Sequence, residues 1–240
     1  MLRTYAGVGI ILFATSMIGA SHAKLKDGCT LDKLRACGDD YLPFGKRSQI
    51  ATSGAPFVKQ CRTYKEQISC SRNFVNDCLI DVFKDAAILA LDSYKASIDE
   101  ICTPGSKLYN AYHKSVGCLN SAGTKIHGCV NDFFGHKLKA ISKAPREGFF
   151  AYFCCSYGGL FDCLEPALKS CEKVGGRDFT VSLVEKVFGD ALTPLCGSHE
   201  GGSELCKSLP NLPALDPLDQ SFKHYVELII EAVDTLISQN

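Results

Sequence analysis

From Leu79 to Cys102 neither Pro nor Gly interrupts the chain, and Phe83, Ala87, Leu91, Tyr94, Ile98 and Ile101 recur three or four residues apart. That spacing puts them on one stripe of an α-helix. Phe179, Leu183, Val187 and Leu192 mark a second helix of the same kind. Val58 to Ile80 and Phe149 to Val174 read as a middle helix in each half, the latter weakened by Gly158-Gly159. Leu31 to Ala36 and Cys118 to Ile141 read as the first helices. Gly45 to Pro56, Pro145 and Gly175-Gly176 punctuate the joints. Strand-like alternation is scarce, so the pattern predicts a mainly α fold.

The two ends read differently. After Pro210, Pro213 and Pro217, a stripe of Phe222, Val226, Ile229, Val233 and Leu236 predicts a C-terminal amphipathic helix, with Lys223, Glu227, Glu231 and Asp234 off the stripe. It is expected to dock on the body; a partner or lipid surface is the alternative, and its acidic polar face disfavours anionic membranes. At the N-terminus, Arg3 precedes an uncharged apolar run from Ala6 to Ala20, with small Ser21 and Ala23 before a cut. This is the layout of a secretory signal peptide and is short for a membrane span. The expected organisation is a signal peptide over 1–23, a first three-helix repeat over 24–110 and a second over 111–209. A Pro-rich linker over 210–217 and the terminal helix over 218–240 follow.

Composition sharpens the picture through one residue type. The 240-residue chain carries fourteen cysteines, all beyond the expected cut. Export places them in an oxidising compartment, where an even set pairs. Structural zinc sites use Cys pairs two to four residues apart; here the only close pair is the adjacent Cys154-Cys155. Lys+Arg and Asp+Glu are 26 each, so the formal net charge is zero. That balance argues against a nucleic-acid partner, which selects for a basic face.

The cysteines repeat. Cys29, Cys37, Cys61, Cys70, Cys78 and Cys102 step by 8, 24, 9, 8 and 24; Cys118, Cys129, Cys154, Cys163, Cys171 and Cys196 step by 11, 25, 9, 8 and 25. Two tandem units follow, with Cys155 and Cys206 as an extra pair. In an antiparallel hairpin, facing residues have a nearly constant index sum. Cys29–Cys78 and Cys37–Cys70 both centre in the Gly45–Pro56 loop, and Cys118–Cys171 and Cys129–Cys163 centre near Pro145. Cys61 lies roughly 180° around the helix from Cys70, so it faces the third helix and Cys102. Cys154–Cys196 is its counterpart. Cys155 is rotated roughly 100° from Cys154, toward Cys206. The fold expected is therefore a tandem pair of disulfide-stapled three-helix units plus the C-terminal helix.

Chemistry is sparse. FCCSYGGLFDC resembles secreted phospholipases A2 only up to the cysteine pair, because no His-Asp follows to act as general base. His113, His127, His136, His199 and His224 contain no i, i+4 pair and are expected at the surface or its boundary. There is no nucleophile elbow, no phosphate loop and no Asn-x-Ser/Thr site. No catalytic residue, metal or cofactor is expected. The aromatic cluster of Phe149, Phe150, Phe153 and Tyr157, beside the Cys155–Cys206 staple, is the candidate apolar ligand site. Ordinary core packing is the alternative.

The stretch ICTPGSKLYNAYHKSVGC, Ile101 to Cys118, together with Cys154-Cys155, resembles secreted cysteine-rich helical proteins of arthropods, a group that includes small haemolymph glycoproteins and domains shared with nematodes. The resemblance implies an extracellular, non-enzymatic protein and transfers no residue role beyond the cysteines. The expected function is a secreted binding protein for a small apolar ligand or a protein partner, in body fluid or a glandular secretion. A secreted hydrolase with a site assembled across the fold, or a venom or salivary effector, is the alternative. Oligomeric state is not legible.

Overall fold

The computed structural model describes residues 24–189, 196, 203–216 and 224–238. The expected signal peptide lies outside them, as do Leu192, His199, Pro217 and Phe222. The α-helices are α1 (Leu31–Arg35), α2 (Gly54–Cys78), α3 (Asp81–Ile101), α4 (Lys107–Ser121), α5 (Gly123–Lys143), α6 (Phe149–Leu168), α7 (Gly176–Val184), α8 (Glu204–Ser208) and α9 (Tyr225–Ile237). Short 3-10 segments cover Arg146–Gly148 and Lys169–Val174, and a π-helical turn, Glu185–Gly189, extends α7. The only β feature among the described residues is one antiparallel bridge, Leu25 to Leu79. The fold is mainly α.

The apolar stripes become the core. All six stripe positions of α3 are buried, and α2 packs against α3 as an antiparallel hairpin closed at Leu79-Ile80. In the second half α5 and α6 form a hairpin through Pro145, the counterpart in the cysteine repeat of α1 and α2 rather than of α2 and α3. The structure joins Cys29–Cys78, Cys37–Cys70, Cys61–Cys102, Cys118–Cys171, Cys129–Cys163, Cys154–Cys196 and Cys155–Cys206. No disulfide crosses from one set of six to the other.

One expectation is corrected: Cys118–Ile141 is not one helix, because α4 ends at Ser121 and α5 begins at Gly123. The Ser106 hydroxyl accepts the Tyr109 N–H at 2.9 Å and caps α4. Leu108, Tyr112, Val116 and Leu119 are its buried stripe. The unit boundary placed between 110 and 111 therefore falls inside a helix. Gly158-Gly159 leaves α6 intact through Pro166, and the joint falls at Gly175-Gly176 as the sequence pattern expects. The break comes at Gly175, whose φ of 74° reverses the chain ahead of α7. The two cysteine repeats share one core. Buried side chains from both form one apolar cluster, whose hub is Tyr94, with edge contacts to Tyr41, Phe188 and Tyr225 at 5.2–5.9 Å.

Helix α9 docks against α3 and α5. Its buried side is wider than the expected stripe: Tyr225, Val226, Leu228, Ile230 and Ala232 are buried, while Ile229 and Val233 pack at its margin. Glu227, read as polar-face, is also buried, because Arg35 meets both its oxygens at 2.8 and 2.9 Å. That pairing raises the Arg35 guanidinium above its ordinary value. Lys24 bridges Glu231 and Asp234 at 2.8 and 2.9 Å. The acidic face of α9 is thus neutralised by cations from the start of the described chain.

Candidate functional site

Where the two halves meet, the core is incompletely filled. A cavity of about 80 Å3 lies among α2 to α7 and the 42–50 loop. Leu42, Phe44 and Ile50 reach it from the loop, Ile98 and Ile101 from α3, Val130, Phe133 and Phe134 from α5, and Leu160 and Leu164 from α6. Phe179, Val184 and Phe188 close the far side. The polar groups in the wall largely satisfy one another. Gln60 donates to the Tyr112 hydroxyl at 3.1 Å and accepts the Ala51 N–H at 2.8 Å, while that hydroxyl donates to the Ala51 carbonyl at 2.5 Å.

The 42–50 loop is held against the second half from several sides. Asn120 clamps Ile50, accepting its N–H at 2.9 Å and donating to its carbonyl at 2.8 Å. His127 Nδ1 donates to the Phe44 carbonyl at 2.6 Å, with Asn131 donating to Nε2 at 3.0 Å. Phe44 itself takes a positive φ of 58°, a sparsely populated conformation for a side chain of its size. The loop is therefore placed by tertiary contacts, and it brings three apolar side chains to the cavity.

None of Phe149, Phe150, Phe153 and Tyr157 lines this cavity. Phe149 is buried against Phe153, with ring centroids 5.5 Å apart, and Tyr157 packs edge-on against Phe161 at 5.2 Å. They belong to the first half of α6, whereas the cavity touches Leu160 and Leu164. Phe153 to Leu160 is about 10 Å along the helix axis. The error is one of axial position rather than of helix face.

Phe153 instead contacts a residue that the sequence reading passed over. Lys137 is only 2% exposed. Its amine donates to the Phe153 carbonyl at 2.7 Å and lies 3.5 Å from that ring's centroid and 5.2 Å from that of Phe133. Burial pushes it well below the ordinary lysine pKa of 10.5. The available signal was phase, since Lys137 occupies an apolar position between Phe133 and Ala140 on the buried side of α5. An unfolded chain binds this proton anywhere below 10.5 and the folded one resists it. The residue therefore costs stability below that pH, increasingly as pH falls. Lys137→Met is expected to raise stability at pH 7 by about 1–3 kcal/mol, with the gain shrinking toward pH 10. Thermal melts of both proteins across that range test the trend; a variant that melts lower at pH 7 would refute it.

One Ser–His–Asp grouping was a candidate for a site assembled across the fold. Ser71 Oγ lies 3.3 Å from His224 Nε2, and Asp39 is close by. His224 is fully buried, contrary to the surface expectation. Its Nδ1 accepts the Val226 N–H at 3.1 Å and caps α9. An amide can only donate, so the ring proton sits on Nε2, which faces Ser71 and the Gly38 carbonyl, the latter at 3.1 Å. In that tautomer His224 cannot take the Ser71 proton. Asp39 does not orient the ring either; it accepts the Tyr225 N–H at 3.0 Å and pairs with Lys46. The cluster fastens α9 to α2 and the 38–46 segment.

Of the other described histidines, His113 donates from Nδ1 to the Thr52 carbonyl at 3.0 Å, and its ring packs on Phe57 and Tyr109. His136 is exposed. Among the described residues no three His, Cys, Asp or Glu side chains converge as a metal site, and no helix is long and apolar enough to cross a membrane. Comparison with protein-family models, with curated proteins and with solved structures returns no match.

Proposed function

We propose that this disulfide-rich helical protein is a secreted, non-catalytic carrier that holds a small apolar ligand between its two cysteine repeats. The observation that carries the reading is the apolar cavity of about 80 Å3 at their junction, since small-molecule sites are concave, mostly apolar and placed between packed elements. Its size suits a slender apolar group; a cavity of about 150 Å3 admits benzene. Secretion is supported by the leader-like first 23 residues and by seven disulfides, which persist in oxidising compartments. The resemblance to secreted cysteine-rich helical proteins of arthropods points the same way, and we retain it as the family reading.

Displacement of a neutral hydrophobic dye from the folded protein is the direct test. Saturable binding is expected, and Val184→Phe, which projects a ring into the cavity, is expected to weaken it at least tenfold while the protein still melts cooperatively. Phe150→Ala and Phe153→Ala should leave dye affinity within about twofold, because those rings lie elsewhere on α6. Absence of saturable binding, with no lipid in organic extracts of the native protein, would remove the carrier reading.

A further inference from the structure

The apolar cavity adjoins a groove whose chemistry is different. The groove has a volume of about 460 Å3 and shares Leu42, Phe44, Ile50, Gln60 and Tyr64 with the cavity. Its outer part carries three cations, Lys46, Arg47 and Lys59, against one acid, Asp40. Two of the cations are committed. Lys46 pairs with the buried Asp39, and Arg47 reaches Asp40 at 3.3 Å while staying 76% exposed. Asp40 also accepts from Gln67 at 2.7 Å, so its charge is shared. Lys59 is exposed and has no ion pair among the described residues. The rim therefore keeps about one uncompensated positive charge.

A hydrogen-bond donor stands at the junction of the two spaces. The Tyr64 ring lines both, and its hydroxyl has no hydrogen-bond partner among the described residues. Burial, with the nearby Tyr112 and Asp40, pushes that phenol above its ordinary value, so it stays protonated and able to donate. The cations line the groove alone, the Tyr64 donor is shared by both spaces, and the cavity wall beyond it is apolar.

We propose that the ligand is a single-chain amphiphile with an anionic head, held with the head beside Lys59, Arg47 and the Tyr64 hydroxyl and the tail between Leu42, Phe44 and Ile50 in the cavity. The inference rests on the carrier reading and deepens it by naming the ligand class. An anion is selected because the rim offers cations and a donor but only one carboxylate, already shared. An unbranched tail is selected because the cavity is too narrow for a ring system.

The test compares three ligands that share a tail. Dodecanoate, dodecanol and dodecylammonium would each displace the neutral linear polyene probe methyl parinarate from the whole protein, at pH 8, low salt and sub-micellar concentrations. Dodecanoate is expected to displace it at about fivefold lower concentration than dodecanol, the scale of one exposed charge pair. The preference is expected to vanish in the double variant Lys59→Gln, Arg47→Gln, and to fade near 1 M salt, where screening is complete within about 3 Å. Both substitutions are at exposed positions, and a melt of the double variant verifies its fold. Equal displacement by dodecanoate and dodecanol, or tighter binding of dodecylammonium, would overturn the anionic head while leaving the apolar carrier intact. A carboxylate preference that survives the double variant would overturn its placement on this rim. Failure of all three ligands and of the probe to bind saturably would overturn the carrier reading as well.

Discussion

Truncation after Leu209 is expected to lower the melting temperature by at least about 12 °C. The truncated chain loses Tyr225, Val226, Leu228 and Ile230, all buried against α3 and α5. Fully burying such side chains contributes about 1.5–3 kcal/mol each, and in a chain of this size each kcal/mol shifts the midpoint by about 2–4 °C. Removal also strips Glu227 from Arg35 and the Tyr225 N–H from Asp39, leaving polar groups in a cleft built to pair them. Tyr94, Phe134 and Phe188, which contact the Tyr225 ring, would become exposed. The truncation also deletes the Pro210 carbonyl that accepts the Tyr152 hydroxyl at 2.6 Å. Ile230→Asp in the full chain isolates the helix contribution and is expected to reproduce most of the loss. Calorimetric melts measure both. Unchanged melting, with loss of a partner in pull-downs, would instead make α9 an interaction element.

Gly123→Ala is expected to cost about 3 kcal/mol, near the upper end for overpacking. Gly123 opens α5, and a Cβ there would fall on the Ser48 carbonyl oxygen. Neither side can yield cheaply. Ser48 sits on the loop clamped by Asn120 to Ile50 and by His127 to Phe44, while Gly123 is held at the turn between α4 and α5. The obstruction is backbone, not the movable tip of a long side chain. Pushing the loop outward would also carry Leu42, Phe44 and Ile50 away from the cavity wall. The variant should therefore melt about 6–12 °C lower and bind the hydrophobic dye less tightly. Gly128→Ala, inside the same helix with open space beside it, serves as the control: it should keep the dye affinity and melt slightly higher, as a helix-interior Gly→Ala change does. A Gly123→Ala protein that melts with the parent would show that this contact does not hold the loop.

The residues that the sequence placed correctly are those whose neighbours are set by periodicity. The α3 stripe from Phe83 to Ile101 follows from a repeat of about 3.6 residues per turn. The seven disulfides follow from that repeat and hairpin symmetry, because a Cys partner must be within about 7 Å and face inward. The cap of α4 was legible too, in Ser106 after Pro104-Gly105 and before an apolar stripe, although the pattern was not assigned a helix there. What the sequence did not contain locally were encounters between distant segments. Glu227 read as polar until Arg35, 192 residues away, supplied both its partners. His224 read as a surface or boundary residue and Lys137 drew no notice, because isolated charges belong in water; Lys137 is buried against Phe153 and His224 caps α9 from inside the core. The cavity was the hardest to foresee. Aromatic crowding along α6 is a local property and pointed to Phe149–Tyr157, whereas an unfilled space exists only where several helices fail to meet. Here they fail to meet beside Leu160 and Leu164, at a junction that sequence periodicity describes from neither side.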